Sequence, residues 1–320
     1  MKKYILLLIS CILISYVYFA KIYSTKVIEP GTNEIKTNEL TQNKNVEPPI
    51  IIDEDIIEPT KVKEQVKVDI KIKEKKDLEA ITAEAYMVGD LISGKIYLEY
   101  NSEKVFPIAS LSKFFTAIVA TNIMDLKSKV TITQPMLEAY GEAGNLVKGE
   151  VYTVEELLYP MLLESSNDAA EAIAQSYGYD KFIGFMNSIA LEIGMKHTSF
   201  KDASGLNSGN VSNIRDLFIL SKYYFDNEKK ILEITKQKDF AIATTTDHGF
   251  HKYISINPFV VYEPFIGGKT GRTKEAKESM ISLFNVEMGT STRPVAVILL
   301  RSSIGEREMD TEKVLIKVMN

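Results

Sequence analysis

The stretch IASLSKFFTAIVAT, Ile108–Thr121, decides how the rest of this 320-residue chain is read. Small residues deliver Ser110 to the mouth of an apolar run, and Lys113 follows three positions later. Residues three apart share a helix face, so the spacing predicts a helix from Ser110 on which its hydroxyl meets the Lys113 amine. The first helical turn carries unpaired N–H groups and the positive end of the helix dipole. There a protonated lysine is disfavoured and a developing oxyanion favoured, which suits a nucleophile activated by a neutral amine. The competing reading is a serine cap followed by a solvated lysine. Two observations favour the chemical reading: this is the only Ser-x-x-Lys in the sequence, and candidate partners follow it.

The first partner lies in Leu162–Ala170, LLESSNDAA. Thr153-Val154-Glu155-Glu156 is a capping box that launches a helix through Leu163. A second helix is expected over Asp168–Ser176, which leaves Ser165 and Asn167 on the loop between them. Alternate residues of an extended loop point the same way, so a hydroxyl and a carboxamide face one cleft, able to relay a proton and hold a substrate amide. A helix-capping Ser/Asn cluster is the rival. Ser208-Gly209-Asn210 is another Ser-x-Asn, but it sits on a polar turn with no flanking apolar helix and is set aside.

The second partner is Gly267-Gly268-Lys269-Thr270-Gly271, ahead of an extended run. Gly271 leaves one side of the backbone open, so a peptide can lie along the strand edge. Lys269 and Thr270 offer a cation and a hydroxyl to an anionic group. The alternative is a glycine-rich turn with a surface lysine. A phosphate loop is excluded, because the Gly-x-x-x-x-Gly-Lys-Ser/Thr spacing is missing.

Composition narrows the chemistry. Net charge is −5 without a basic block, so no nucleic-acid partner is expected. Cys11 is the only cysteine, which rules out an intrachain disulfide and a thiolate cluster. His197, His248 and His251 lack zinc-ligand spacing. Catalysis is therefore expected to need no metal, no cofactor and no histidine.

Residues 1–21 read as a membrane anchor or signal segment. Met1–Lys3 is basic, and the apolar run Tyr4–Ala20 would span roughly 25 Å at ~1.5 Å per residue. No clean small-x-small cleavage pattern precedes Lys21, which favours an uncleaved single-pass anchor over a secreted product. Leu8-Ile9-Ser10-Cys11 is similar to a lipobox, but the apolar run continues past the cysteine. Lys2 and Lys3 would stay cytoplasmic and place the remainder outside. Residues 22–77 read as a flexible stalk, polar and proline-punctuated, with a reach of about 40 Å.

The folded domain is expected over 78–320. Glu84–Gly89 and Lys95–Tyr100 form a hairpin across Asp90–Gly94. Further helices are expected over Lys181–Ile193, from Ser212 or Asn213 to about Phe225, and over Glu306–Val318. Extended segments are Phe240–Thr245, Glu278–Val286 and Pro294–Arg301. Strands at both ends with helices between them indicate an α+β fold, an antiparallel sheet covered by helices.

Taken together and in order, Ser110-x-x-Lys113, Ser165-x-Asn167 and Lys269-Thr270-Gly271 resemble the three motifs of the penicillin-recognising serine enzymes. YTVEELLYPMLLESSNDAAEAIA, FMNSIALEIGMKHTSFKDASGLN and FIGGKTGRT are similar to the low-molecular-weight D-alanyl-D-alanine carboxypeptidases, from roughly Ala83 onward. The resemblance implies a β-lactamase/transpeptidase-like fold. It implies a substrate, peptidoglycan stem peptides ending in D-Ala-D-Ala, with β-lactam antibiotics as covalent inhibitors. It makes Ser110 the acylated nucleophile, Lys113 its base, Ser165 a proton relay to the leaving amine and Asn167 a substrate-orienting group. Lys269 and Thr270 would bind the terminal carboxylate, and the strand from Gly271 onward would dock the substrate backbone. Arg307, in Gly305-Glu306-Arg307, lies where such enzymes often carry an arginine near that carboxylate. The Ser110 amide and one near Arg272–Thr273 would form the oxyanion hole.

Two departures stand out: Ser166 occupies the middle of the second motif where glycine is common, and Glu275–Ser279 replaces a small, glycine-bearing segment. A serine β-lactamase is the near rival, but the Glu-x-x-Leu-Asn element of fast deacylators is missing; the region reads Lys201–Asn207, KDASGLN. A catalytically inactive, tethered wall-binding module is the alternative from another class.

Overall fold

A computed structural model describes residues 81–141 and 143–319. The expected anchor (1–21) and stalk (22–77) lie outside the described residues. Among those described, no helix is long and apolar enough to cross a membrane.

The chain begins with the expected hairpin, β1 (Ala85–Asp90) and β2 (Ile96–Tyr100), then β3 (Phe106–Pro107) and α1 (Ser112–Ile123). Strands β4 (Lys129–Thr131) and β5 (Val151–Thr153) lead into α2 (Val154–Leu163), α3 (Asn167–Tyr177) and α4 (Tyr179–Glu192). After β6 (Val211–Ser212) come α5 (Ile214–Asn227) and α6 (Lys229–Lys236). The hairpin β7 (Asp239–Ile242) and β8 (His251–Ile254) precedes β9 (Phe265–Thr273), β10 (Lys277–Met288), β11 (Ser291–Ser302) and α7 (Arg307–Met319).

Five strands form one antiparallel sheet in the order β2-β1-β11-β10-β9. The alternation of strand side chains divides β11 between two cores. Ala296, Ile298 and Leu300 enter the large helical core, while Val295, Val297 and Leu299 meet Val314 and Leu315 of α7. A strand covered on both faces needs the unbroken apolar run VAVILL. Helix α1 is buried without interruption from Ser112 to Ala120, because SKFFTAIVA offers no polar face apart from the groups it commits to partners. Asp90 closes the β1–β2 turn: its carboxylate accepts from the Ile92 and Ser93 amides, Tyr97 Oη and the Arg293 guanidinium. Burial would raise its pKa, but Arg293 and these hydrogen bonds prevail and hold it well below the usual carboxylate range.

The Thr153–Glu156 capping box forms as expected, and Asn213 caps α5. Helix α6 goes beyond the sequence reading. A segment of eight residues has little helicity alone; it is held because Ile231, Leu232 and Ile234 are buried against the core.

Candidate active site

Ser110 departs from the sequence expectation. It lies in a tight 3₁₀ turn, Ala109–Leu111, and the α-helix proper begins at Ser112. Ala109 holds a left-handed φ of 49° and Ser165 one of 62°. Left-handed backbone costs a non-glycine residue about 1–2 kcal/mol, and one such residue lies in or next to each of the first two motifs.

Lys113 unites that cleft. Its Nζ donates to Ser110 Oγ at 3.0 Å, Asn167 Oδ1 at 2.7 Å and the Ser204 carbonyl at 2.5 Å. Asn167 is the first residue of α3 rather than a loop residue, because Ser166 takes the cap and accepts from the Ala169 amide. That cap fixes the Asn167 carboxamide, whose Nδ2 donates to the Tyr140 carbonyl at 2.6 Å. Lys269, on β9, donates to Ser165 Oγ at 2.9 Å and to the Thr270 carbonyl at 2.8 Å. Arg307, at the start of α7, adds its charge beside Lys269 and keeps a buried Nε without a hydrogen-bond acceptor. The motif residues therefore share one place in the fold.

Both lysines are buried, Lys113 completely and Lys269 to 1% exposure. Burial pulls the Lys113 pKa down to about 7, while the charges of Asp202 and Glu171 push upward. Burial also takes Lys269 well below the ordinary lysine range, with Lys113 and Arg307 adding repulsion. Repulsion between the two buried amines is mutual, and exclusion from water is the largest influence that neutralises Lys113.

Gly271 also serves a close backbone approach. A Cβ there would lie 3.0 Å from the Ile108 carbonyl oxygen and 3.2 Å from Ser110 N. Its bareness lets β9 close on the Ser110 turn. β9 is an edge strand, so its outer backbone groups have no sheet partner. The set-aside Ser208–Asn210 turn proves structural: Asn210 is fully buried, and its Nδ2 donates to Ser112 Oγ, the Asp202 carbonyl and Asp202 Oδ1. Sequence reading missed Ser204 and Asn210 because their contacts with α1 join positions more than 90 residues apart, and Asp202 because it meets α1's partner Asn210 rather than α1 itself. The one available signal was the dense run of turn formers in KDASGLNSGN.

The profile of the D-alanyl-D-alanine carboxypeptidase family matches residues 71–299. The chain belongs to that family. It resembles the D-alanyl-D-alanine carboxypeptidase DacF of Bacillus subtilis, with 30% identity over 70% of this chain and 58% of the relative. The D-alanyl-D-alanine carboxypeptidase of Streptomyces sp. strain K15 is 31% identical over 64% of this chain and 76% of its own. Among solved structures, the Streptomyces K15 DD-transpeptidase matches with a TM-score of 0.67 at 27% identity, covering 75% of this chain and 97% of that one. Penicillin-binding protein D2 of Listeria monocytogenes, in its cefotaxime-bound form, gives 0.65 at 30%, covering 75% and 98%. The penicillin-binding, transpeptidase-like fold expected for this carboxypeptidase family member is the fold observed, its antiparallel sheet covered by helices. The chain spans just over half the length of the B. subtilis family member.

Proposed function

We propose that the protein is a serine-type D-Ala-D-Ala carboxypeptidase acting on peptidoglycan stem peptides. The observation that carries this reading is the water-excluded Lys113 amine within 3.0 Å of Ser110 Oγ. At neutral pH a large share of that amine is unprotonated, so it can take the serine proton as Oγ attacks the penultimate carbonyl. The Ser110 amide and one from the Arg272–Thr273 segment of β9 receive the oxyanion. Ser165 passes a proton to the departing D-alanine amine, and water then hydrolyses the acyl-enzyme. Asn167 orients the substrate. Its terminal carboxylate meets Lys269, Thr270 and Arg307. An anion arriving there favours the charged form of Lys269, offsetting both its burial and the repulsion from Lys113 and Arg307. The rest of the peptide pairs with the free edge of β9. β-Lactams would acylate the same serine.

Charge and position separate this reading from a tethered binding module, which has no need of a buried amine beside a hydroxyl. The basic start and apolar run of residues 1–21 support a single-pass anchor, with residues 22–77 as the stalk and 78–320 as the catalytic domain outside the cytoplasmic membrane. Full-length protein in detergent, given a pentapeptide ending in D-Ala-D-Ala, is expected to release one equivalent of free D-alanine per peptide. Absence of release alongside rapid penicillin hydrolysis would support the β-lactamase reading instead.

A further inference from the structure

A cavity of about 350 Å³ is lined among others by Glu138, Glu171, Tyr179, Lys201, Asp202 and Ser204. Ser204 links it to the reaction centre. Its carbonyl accepts from Lys113 Nζ, and its hydroxyl is buried without a hydrogen-bond partner in the lining it shares with Glu171. Glu171 is one helical turn beyond Asn167 on α3, so the two project from the same face of the helix, and Asn167 accepts from the Lys113 amine. Asp202 is immobilised by the Gly205 and Asn207 amides and by Asn210 Nδ2. All three direct acceptors of Lys113, namely Ser110, Asn167 and Ser204, are neutral groups.

We propose that Glu171 is a positioning residue that acts through Lys113: its carboxylate, with that of Asp202, governs how readily the buried amine holds a proton. The inference rests on Lys113 being the base for Ser110. A negative charge near the amine favours the ammonium form, and the ammonium cannot accept the serine proton. Glu171 thus keeps the enzyme less active below neutral pH than burial alone would. The neighbouring groups bear on this in defined ways. From α4, Tyr179 titrates only at about 12, raised first by burial and then by Glu171, and stays neutral through the working range. Lys201 and Glu138 line the cavity as opposite charges, and Lys269 faces Lys113 from β9. Burial raises the Glu171 pKa, and Asp202 raises it further against the pull of Gln175, Lys113 and Ser204. Its hold on the amine therefore weakens as the pH falls.

The test is the pH profile of the acylation rate with a fluorescent penicillin between pH 5 and 9, using full-length protein in detergent. Glu171→Gln is expected to move the acidic limb to lower pH by roughly half to one unit, a smaller effect than a directly contacting charge gives. Acylation below the limb then rises about three- to tenfold, since the neutral fraction changes tenfold per unit. Glu171→Asp keeps the charge and keeps the limb in place. Glu171→Met, similar in size, gives the same reading should the glutamine variant fail to fold. An unmoved limb, or one moved upward, in a folded neutral variant overturns the proposal. Failure of the underlying base assignment looks different: the wild type itself would then lack an acidic limb.

Discussion

Replacing Lys113 with alanine is expected to lower the rate of Ser110 acylation by at least ~10³-fold, at the upper end of what one positioned base contributes. The serine hydroxyl would lose its proton acceptor, and no histidine stands in the site to replace it. The only described histidines, His197, His248 and His251, are engaged elsewhere, with Asp216, Glu156 and Glu150 respectively. The fold should survive. Helix α1 is held by Phe114, Phe115, Ile118 and Val119, all fully buried, and the amine adds only contacts to polar groups at the helix tip. A cooperative thermal transition with lost labelling by fluorescent penicillin is the expected pair of results. Labelling at the wild-type rate would remove Lys113 from the mechanism.

Gly205→Ala is expected to damage both stability and catalysis. Gly205 has a φ of 86°, and a Cβ there would fall 2.0 Å from the Ala109 carbonyl oxygen and 2.9 Å from Ser110 N. The clash is with backbone, so no side-chain rotation relieves it. Either the Asp202–Asn207 loop moves, releasing the Ser204 carbonyl from Lys113, or the Ser110 turn moves. The left-handed backbone alone costs alanine about 1–2 kcal/mol, and the overpacking adds roughly 1–3 kcal/mol. Displacing reacting groups by about 1 Å can cost on the order of 10²-fold in rate. Gly94→Ala provides the comparison: its φ is 74°, but nothing lies within 4 Å of the added carbon. That variant should show only the small conformational cost and full acylation. Equal behaviour of the two in thermal melts and labelling would contradict the packing assigned to Gly205.

Much of the fold was legible because its signals are local. The β1–β2 hairpin, the Thr153–Glu156 box, the Asn213 cap and the apolar run of β11 each announce themselves within a few residues. Motif chemistry was legible for a related reason, since a serine three residues before a lysine is a statement about one helix turn. What escaped was set by tertiary approach. Ser110 occupies a 3₁₀ turn because Gly205 and Gly271 bring two distant backbones against it. Asn210 read as an idle turn residue because its partners, Asp202 and Ser112, give no sign in the sequence that they meet it. Helix α6 was too short to declare itself before packing. The electrostatics followed the same division: burial of Lys113 was foreseeable from its apolar flanks, whereas the carboxylates near it were not.

Nucleophilic attack by Ser110, licensed by an unprotonated neighbour, is tested most directly by intact-mass spectrometry of the full-length protein after brief exposure to a penicillin at neutral pH. The expected result is a gain of one penicilloyl group per chain, carried by the peptide containing Ser110 and missing from Ser110→Ala. An unmodified mass, or an adduct mapped to any other residue, would contradict it.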